Sequence, residues 1–451
     1  MIHRFTVAGR RFVLDVFSGS LHEVDDLAWE LVEPFCAGDE AALARASASH
    51  DPPAVASVLA ELTALREQGL VDAPCPVPDG FEPEPGGFKA MCLHLAHDCD
   101  LACGYCFAEG GPFGSDRGLM SEQTARRAID FLLEHGSDRR HFDVDFFGGE
   151  PTLNFEVLRR TVAYAEECGT QKGATFRFTV TTNAFGLTRE MQEYLNDKGI
   201  AVVLSLDGRP EVHNRLRKTR SGQSTHQVIL ENSRSMVKSR QGQNYYVRGT
   251  FTRHNLDFTN DARYLVEQGF NIISLEPVVA EGHFRHALQD AELPAILAEY
   301  DRLAEFCAER AEAGAPFTFF HFALEPAAGP CVTKRITGCG AGWEYLVVTP
   351  AGELFPCHQF VGRSKYRLGT LETGIERPDL TEQLRLTHAR SKPTCRECWA
   401  QFYCGGGCHA NADLFNGTVS EPYALGCEMQ KRRIELALYL QARRGELVAE
   451  S

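Results

Sequence analysis

From residue 89 to about 315 the chain alternates strand-like and helix-like stretches, and no other feature constrains its fold as much. The candidate strands are Met91–His97, Phe142–Phe147, Thr175–Thr181, Ala201–Leu206, Tyr245–Phe251 and Ile272–Val278. Between them lie helical patterns at Ser121–His135, Phe155–Cys168, Thr188–Asp197, Gln227–Val237 and Asn260–Gln268, and a longer one follows at Leu293–Ala313. Repeated β–α units imply an α/β fold with a parallel sheet, and right-handed crossovers curl it into a partial (β/α)6 barrel. In such folds the chemistry sits at the C-terminal ends of the strands.

A chain of 451 residues exceeds one ordinary core, so further domains are expected on either side. Residues 1–72 read as a separate winged-helix-like unit. Ile2–Val7 and Arg11–Phe17 alternate like strands around Gly9, and Leu21–Val24 follows the Ser18-Gly19-Ser20 turn. Asp25 or Asp26 caps a helix to about Phe35, and Asp51-Pro52-Pro53 opens another over Val55–Gln68, ended by Gly69. Residues 73–88 hold five prolines and three glycines, a linker stiff in its proline part and loose at Gly86-Gly87. Residues 316–451 break into Gly-, Cys- and Pro-rich loops before a closing helix near Glu428–Gly445, and such a region needs stability from something other than a large core.

Net charge is −15, which argues against a non-specific nucleic-acid binder. There is no apolar run of the roughly 20 residues that a membrane span needs, and the start lacks a signal-peptide core. The expectation is a cytoplasmic protein with no nucleic-acid or membrane partner. Sixteen cysteines in a reducing compartment point to metal or catalysis before disulfides.

Ten of those cysteines fall into two spaced sets. Cys99-x3-Cys103-x2-Cys106 directly follows the first candidate strand. Three thiolates on a four-iron cube leave one iron open; zinc would want a fourth ligand, and His97 is at hand. With Tyr105 before its last cysteine, the trio resembles the signature of the radical S-adenosylmethionine (SAM) superfamily. That resemblance implies reduction of SAM at the open iron to give a 5′-deoxyadenosyl radical, with the protein supplying binding and shielding.

Supporting positions end the following strands. Phe147-Gly148-Gly149-Glu150-Pro151 matches the family's GGEP element, in which the glycines allow close backbone approach to the SAM methionyl group and Glu150 accepts from its ammonium. A plain strand-ending turn satisfies the same four residues. Asn183, after the third strand, and Ser205, in Ser205-Leu206-Asp207-Gly208, look like ribose-side elements, and Arg248 on the fifth is placed to pair with the SAM carboxylate. Singly, Ser205 and Arg248 read as ordinary polar residues. The cofactor-binding set is thus Tyr105, Gly148, Gly149, Glu150, Asn183, Ser205 and Arg248, and no side chain is assigned as a catalytic acid or base.

The second set is Cys339, Cys357, Cys395-x2-Cys398-x5-Cys404-x3-Cys408 and Cys427. Its four close thiolates alone would suit a zinc knuckle. In this order the seven resemble the SPASM extension of radical SAM enzymes that modify peptides and proteins. The resemblance implies two auxiliary clusters, hence three [4Fe–4S] clusters with the first. Cys395, Cys398, Cys404 and Cys427 would hold the distal one, and Cys339, Cys357 and Cys408 the nearer one. The nearer cluster is then one thiolate short, a place left to Cys331 or to a substrate thiol. His358 and His409 adjoin cluster cysteines as outer donors or as plain loop residues. Cys36, Cys75, Cys92, Cys168 and Cys307 have no partner spacing and read as buried or linker thiols.

Three longer stretches are similar to the maturases of SCIFF peptides ("six cysteines in forty-five residues"). They are Ile-His-Arg-Phe with Val-Leu-Asp-Val, Cys92–Cys99, and Gly338–Gly342 continuing to Pro356–Phe360. This implies thioether cross-links from cysteine sulfur to an acceptor residue, Thr, of a Cys-rich ribosomal precursor. The partners implied are that peptide, its leader held by the N-terminal unit at Ser20–Val24 and the 55–68 helix, and a low-potential donor such as ferredoxin or flavodoxin. The alternatives are an anaerobic sulfatase maturase, which needs no leader-binding unit, and a non-catalytic iron–sulfur electron carrier.

Overall fold

The computed structural model of the protein describes residues 1–324 and 332–445. At the N-terminus β1 (Ile2–Val7), β2 (Arg10–Asp15) and β3 (Leu21–Val24) form an antiparallel meander in that order. The helices α1 (Asp26–Ala37), α2 (Glu40–Ser47) and α3 (Pro52–Glu67) follow. Asp25 caps α1 by accepting from the Ala28 N–H, Gly38 closes it in a left-handed conformation, and Asp51 caps α3 through Ala54 N–H. The meander is buried on both faces, which its period-2 pattern shows: Val13 joins Leu31, Val32, Val55 and Leu62 under the helices, while Phe5, Phe12 and Leu14 enter the main core.

The strands β4 (Ala90–Ala96), β5 (His141–Gly148), β6 (Thr175–Thr182), β7 (Ala201–Ser205), β8 (Tyr245–Phe251) and β9 (Ile272–Pro277) lie side by side in chain order, each parallel to the next. Their crossovers carry α4 (Glu122–Glu134), α5 (Phe155–Lys172), α6 (Arg189–Asp197), α7 (Pro210–Leu216), α8 (His226–Ser239) and α9 (Phe258–Glu267). Met91, Leu93, Val144, Phe146, Val180, Leu204 and Val247 are fully buried or nearly so on the helix-covered face. After α10 (Leu293–Glu312), the short β10 (Thr318–Phe319) adds a parallel pair at the β9 edge.

The remainder departs from the expected loop-rich appendage. α11 (Val332–Thr337) leads to β11 (Tyr345–Val348), which pairs parallel with β4, Val347 opposite Cys92 and Val348 opposite Leu93. β12 (Glu353–Phe355), β13 (Gly369–Thr370) and β14 (Gly374–Ile375) continue antiparallel, giving one open eleven-stranded sheet. Strands of two to four residues among glycines carry no readable periodicity, so the sequence pattern misses them. The helices α12 (Pro378–Leu386), α13 (Pro393–Arg396), α14 (Gln401–Cys404), α15 (His409–Asn416) and α16 (Ala424–Arg444) complete the chain. Tyr439 of α16 meets Phe12 edge-on at 6.1 Å, so the N-terminal sheet rests on the closing helix.

The segment 73–88 also differs from expectation. A Cβ on Gly87 would stand 2.7 Å from His135 O, and its φ is +67°, so this glycine is tightly held, not loose. Phe81 meets His388 edge-on and Arg385 bonds to Pro83 O, binding the segment to the C-terminal region. Among the described residues no helix is long and apolar enough to cross a membrane.

Candidate active site and cysteine sets

Beyond β4 the chain turns into a loop that carries Cys99, Cys103 and Cys106. Three neighbours shape it. The α7–α8 connection supplies Lys218 O to Ala102 N–H and Leu216 O to Gly104 N–H, both at 2.8 Å. The end of β5 donates Gly149 N–H to Ala96 O and Glu150 N–H to Asp98 O, at 2.8 and 2.9 Å. The end of β6 brings Asn183, whose Nδ2 donates to Asp100 Oδ1 at 2.7 Å and reaches Cys99 Sγ at 3.6 Å.

The glycines of the GGEP element also have a close neighbour that the motif does not name. Gly148 sits at φ +123°, and a Cβ on either Gly148 or Gly149 would collide with the backbone of Ala96 or Asp98. The close approach they permit is to the cysteine loop itself. Glu150 is fully buried, its Oε1 accepting from Thr152 N–H, Thr152 Oγ1 and Thr182 Oγ1, and its Oε2 from Asn183 N–H at 2.7 Å. Burial pushes its carboxyl up to about 7, against those donors. Its hydrogen bonds tie the end of β5 to the end of β6.

Tyr105 turns its hydroxyl to Asp207 Oδ2 at 2.6 Å, and the Arg217 guanidinium lies over its ring and donates Nε to the same oxygen at 3.0 Å. Asp207 Oδ1 takes Thr250 N–H. This buried hub anchors the loop to β7 and β8. Reading site residues from motifs passed over Asp207 and Arg217; the signal was the carboxylate in Ser205-Leu206-Asp207-Gly208. Ser205 and Arg248 face each other on β7 and β8, and among the described residues neither bonds to Glu150 or to the cysteine loop. Arg248 instead approaches Glu276 of β9, Nε to Oε1 at 3.8 Å.

A second group missed from the sequence surrounds Glu276. His321 Nε2 lies 3.1 Å from its Oε1, and Ser274 Oγ donates to the same oxygen. Arg433 of α16 donates to His321 Nδ1 at 3.3 Å and to Tyr300 at 2.9 Å. Since a guanidinium only donates, His321 accepts at Nδ1 and donates from Nε2 to Glu276. Burial raises the Glu276 carboxyl, but His321, Arg248 and Arg433 outweigh it and hold the group ionised.

His97 has both ring nitrogens engaged, with His94 at 3.1 Å and Ser115 at 3.0 Å, which removes it as a ready fourth ligand. The thiols of Cys99 and Cys103 are raised by burial, that of Cys103 to about 11, so binding metal as thiolates must release protons.

Beyond residue 338 the cysteines gather in two places. Cys395, Cys398, Cys404 and Cys427 line one cavity of about 460 Å³ with Trp399 and Lys431. Cys357, Cys339 and Cys408 lie within electrostatic reach of one another: burial raises the thiols of Cys357 and Cys408, and Cys339 beside them adds to both. Buried Lys392 stands between the two groups, its Nζ on Gly406 O at 2.8 Å, with Cys395, Cys404, Cys408 and Cys427 opposing the loss of its charge. His358 packs on Phe147 at 5.0 Å and Phe107 at 5.5 Å, with its pKa lowered to about 4 by burial. His409 is buried, its Nδ1 without a hydrogen-bond partner among the described residues. Cys331 lies outside the described residues. The thiols converge on shared spaces, not on single points: among the described residues no three His, Cys, Asp or Glu side chains stand close enough to hold one ion. All-thiol donor sets of this kind suit iron–sulfur clusters, whose cubes hold their ligands farther apart.

A parallel α/β sheet with three cysteines on the loop after its first strand is the arrangement expected from the resemblance to radical SAM proteins. The comparisons agree: residues 86–230 match the family model described as a 4Fe-4S single cluster domain. The radical SAM cyclopropyl synthase TigE of Paramaledivibacter caminithermalis is 22% identical over 41% of this chain and 40% of its own length. The subtilosin biosynthesis protein AlbA of Bacillus subtilis is 25% identical over 70% of this chain and 66% of its own length. The chain spans 63% of MJ0907 of Methanocaldococcus jannaschii and 40% of TigE, less than two thirds in each case. In fold it is similar to native anSMEcpe with bound AdoMet and Cp18Cys peptide, with a TM-score of 0.63 at 20% identity over 79% of this chain and 99% of that one. It is also similar to Streptococcus suis SuiB bound to S-adenosylmethionine, with a TM-score of 0.54 at 17% identity over 94% of this chain and 98% of that one. The chain is thus similar in sequence to a radical SAM protein and shares its fold with proteins solved with S-adenosylmethionine bound.

Proposed function

We propose that this protein is a peptide maturase of the SCIFF kind, forming thioether cross-links between cysteine sulfur and an acceptor residue, Thr, of a Cys-rich ribosomal precursor. The observation that carries the reading is the apposition of the first cysteine loop and the C-terminal set. Cys106 and Phe147 pack with Val347 and Phe355 of β11 and β12 in one apolar cluster, and His358, next to Cys357, rests on Phe147. A peptide lying between them would meet both sets.

Ten cysteines supply all but one thiolate of three [4Fe–4S] clusters, with Cys99, Cys103 and Cys106 holding the one that binds SAM. When bound, SAM and that cluster supply the adenosyl radical that takes hydrogen from the acceptor carbon. Breaking that C–H bond and the substrate S–H bond and forming C–S leaves an electron to be carried away, which clusters held by the sets beyond residue 338 would accept. The chain's own part is positioning. Glu150 and Asn183 fix the cysteine loop, the Asp207 hub fixes its far end, and Ser205, Arg248 and Glu276 line the open end of the sheet.

Among the described residues β3 pairs with β2 alone, and a leader peptide added at its outer edge would be held by backbone bonds. A sulfatase-maturase reading leaves this N-terminal unit without a task, and the likeness to anSMEcpe covers only 79% of the chain. The setting proposed is the cytoplasm, with neither nucleic acid nor membrane as partner. Anaerobic reconstitution with iron, sulfide, dithionite and SAM, followed by a synthetic peptide from a neighbouring Cys-rich reading frame, tests the proposal. The expected result is 5′-deoxyadenosine and a peptide lighter by a pair of hydrogens per bridge; 5′-deoxyadenosine without a change in any Cys-rich peptide would point to another substrate class.

A further inference from the structure

Lys392 is sealed inside the molecule, only 2% exposed. Lysine is seldom buried so deeply unless something answers its charge. Its main chain begins α13, with Lys392 O accepting from Cys395 N–H at 3.1 Å and from Arg396 N–H at 2.9 Å. Its side chain runs to a different segment. Nζ donates to Gly406 O at 2.8 Å, in the turn between Cys404 of the distal set and Cys408 of the nearer one. Gly405, Gly406 and Gly407 take left-handed conformations there, and a Cβ on Gly406 would stand 2.9 Å from Ala389 N, so the turn presenting this carbonyl is tightly built. An ammonium has three hydrogens to donate, and among the described residues this one has a single acceptor. The carboxylates of the region are engaged or exposed. Asp413 of α15 is taken by Arg363 and Lys365, Asp79 by Arg390 and Arg396, and Glu428 by Lys431, while Glu397 and Glu421 lie exposed on the cavity wall. Burial lowers His388 and His409 below the ordinary histidine range, so neither adds charge. What stands opposite Lys392 is sulfur: Cys395, Cys404 and Cys427 of the distal set and Cys408 of the nearer one all act on its charge.

We infer that Lys392 tunes the redox behaviour of both C-terminal cysteine sets, as one buried positive charge that favours the reduced form of the iron–sulfur cluster each set holds. The inference rests on the proposed reading in one respect, that these sets hold clusters, which their all-thiol composition fits. A cluster that takes up one electron gains one negative charge, and a buried ammonium beside it lowers the cost of that charge where water cannot. In the proposed reaction the electron is the one released as the C–S bond forms. Lys392 keeps its proton throughout and transfers nothing; its part is to make the electron's destination more favourable. A cation placed between two sets acts on both, so one substitution should move two potentials in the same direction. A lysine that only latches Gly406 to α13 should move neither.

The experiment uses the full chain carrying Cys99→Ala, Cys103→Ala and Cys106→Ala, reconstituted with iron and sulfide so that only the later sets are loaded. Midpoint potentials are read by electron paramagnetic resonance during anaerobic titration with dithionite, and iron content is measured beside them. Lys392→Met removes both charge and hydrogen bond, Lys392→Gln keeps a donor for Gly406 O without the charge, and Lys392→Arg keeps the charge. At a fixed potential the reduced-to-oxidised ratio of both clusters should fall about tenfold in the Met and Gln variants, a shift of about 59 mV for one electron. The Arg variant should stay close to the parent. If the neutral variants lose iron instead, its retention in Lys392→Arg alone supports the same conclusion. Potentials unmoved in iron-loaded neutral variants, a Gln variant matching the parent where the Met variant does not, or loss of iron from all three would each overturn the inference. A parent protein that binds no iron at the later sets would sink the three-cluster reading, and the inference with it.

Discussion

Cys99, Cys103 and Cys106 stand on a loop whose surroundings are already closed, whereas Cys395, Cys398, Cys404 and Cys427 line a cavity of about 460 Å³. Around the first set, among the described residues, the buried carboxyls Asp207 and Glu150 are partnered, by Arg217 and Tyr105 and by four donors, and the more exposed Asp98 by two arginines. Around the second, among the described residues, buried Lys392 has a single carbonyl and the thiols themselves. The first loop is thus shaped by the sheet in advance of metal, and the second set depends on what it binds to hold its shape. Pre-shaping of this kind belongs to a site that must bind and release a small molecule at one open position.

The largest effect that tests this contrast is a pair of substitutions. Cys103→Ala should abolish 5′-deoxyadenosine formation, a loss of about a thousandfold or more, while leaving the thermal midpoint of the metal-free protein nearly unchanged. Cys395→Ala should lower iron content, and its damage to stability should appear only in the metal-loaded protein, whose extra stability comes from binding. A metal-free protein destabilised equally by both would erase the distinction.

Next comes the buried hub. Asp207→Asn leaves Arg217 buried without its counter-charge and should cost about 3–5 kcal/mol in urea unfolding. An equivalent neutral change at exposed Asp98 should cost about 1 kcal/mol or less, its pairs being open to water.

Glu150 gives a pH test. Its carboxyl is raised from 4.5 to about 7, so the folded state holds the proton more tightly than the unfolded chain does. Stability is therefore greatest below the unfolded value and falls as pH rises from about 4.5 to 7, by about 3 kcal/mol. Glu150→Gln should lower stability at acid pH through its misplaced donor but remove this slope, as read by chemical denaturation at several pH values. A slope unchanged in the variant would assign it to another group.

The smallest effect concerns the strap between the regions. Phe81→Ala removes the edge-on contact with His388 and should cost about 1 kcal/mol, with iron content unaffected. A loss of iron from the second set alone would show that segment 73–88 helps to close it.

The six parallel strands were legible because each is a short run between helical patterns, near-continuously apolar in β4 and β7 and alternating in β5, β6 and β8, and the bounds found differ from those expected by a residue or so. The cysteine spacing was legible for the same local reason. What stayed hidden was non-local. Asp207 and Arg217 meet only after α7 folds back, and Glu276, His321 and Arg433 come from β9, a turn and α16. The proline-rich composition of 73–88 signalled a linker, but Gly87 is pinned against His135 by neighbours 48 or more residues away. Composition reports how a segment behaves alone; burial by distant partners decides how it behaves here.

The parallel pairing of β11 with β4 carries a consequence for how the protein is made. β4 leaves the ribosome early, yet one of its two edges stays bare until Tyr345–Val348 has been synthesised, some 250 residues later. A long wait with one edge of an apolar strand bare favours intermolecular pairing and slow completion of the fold. Any fragment that stops short of residue 345 exports that bare edge to its neighbours, so the C-terminal third acts, in the nascent chain, as the stopper that keeps copies of the sheet from joining one another.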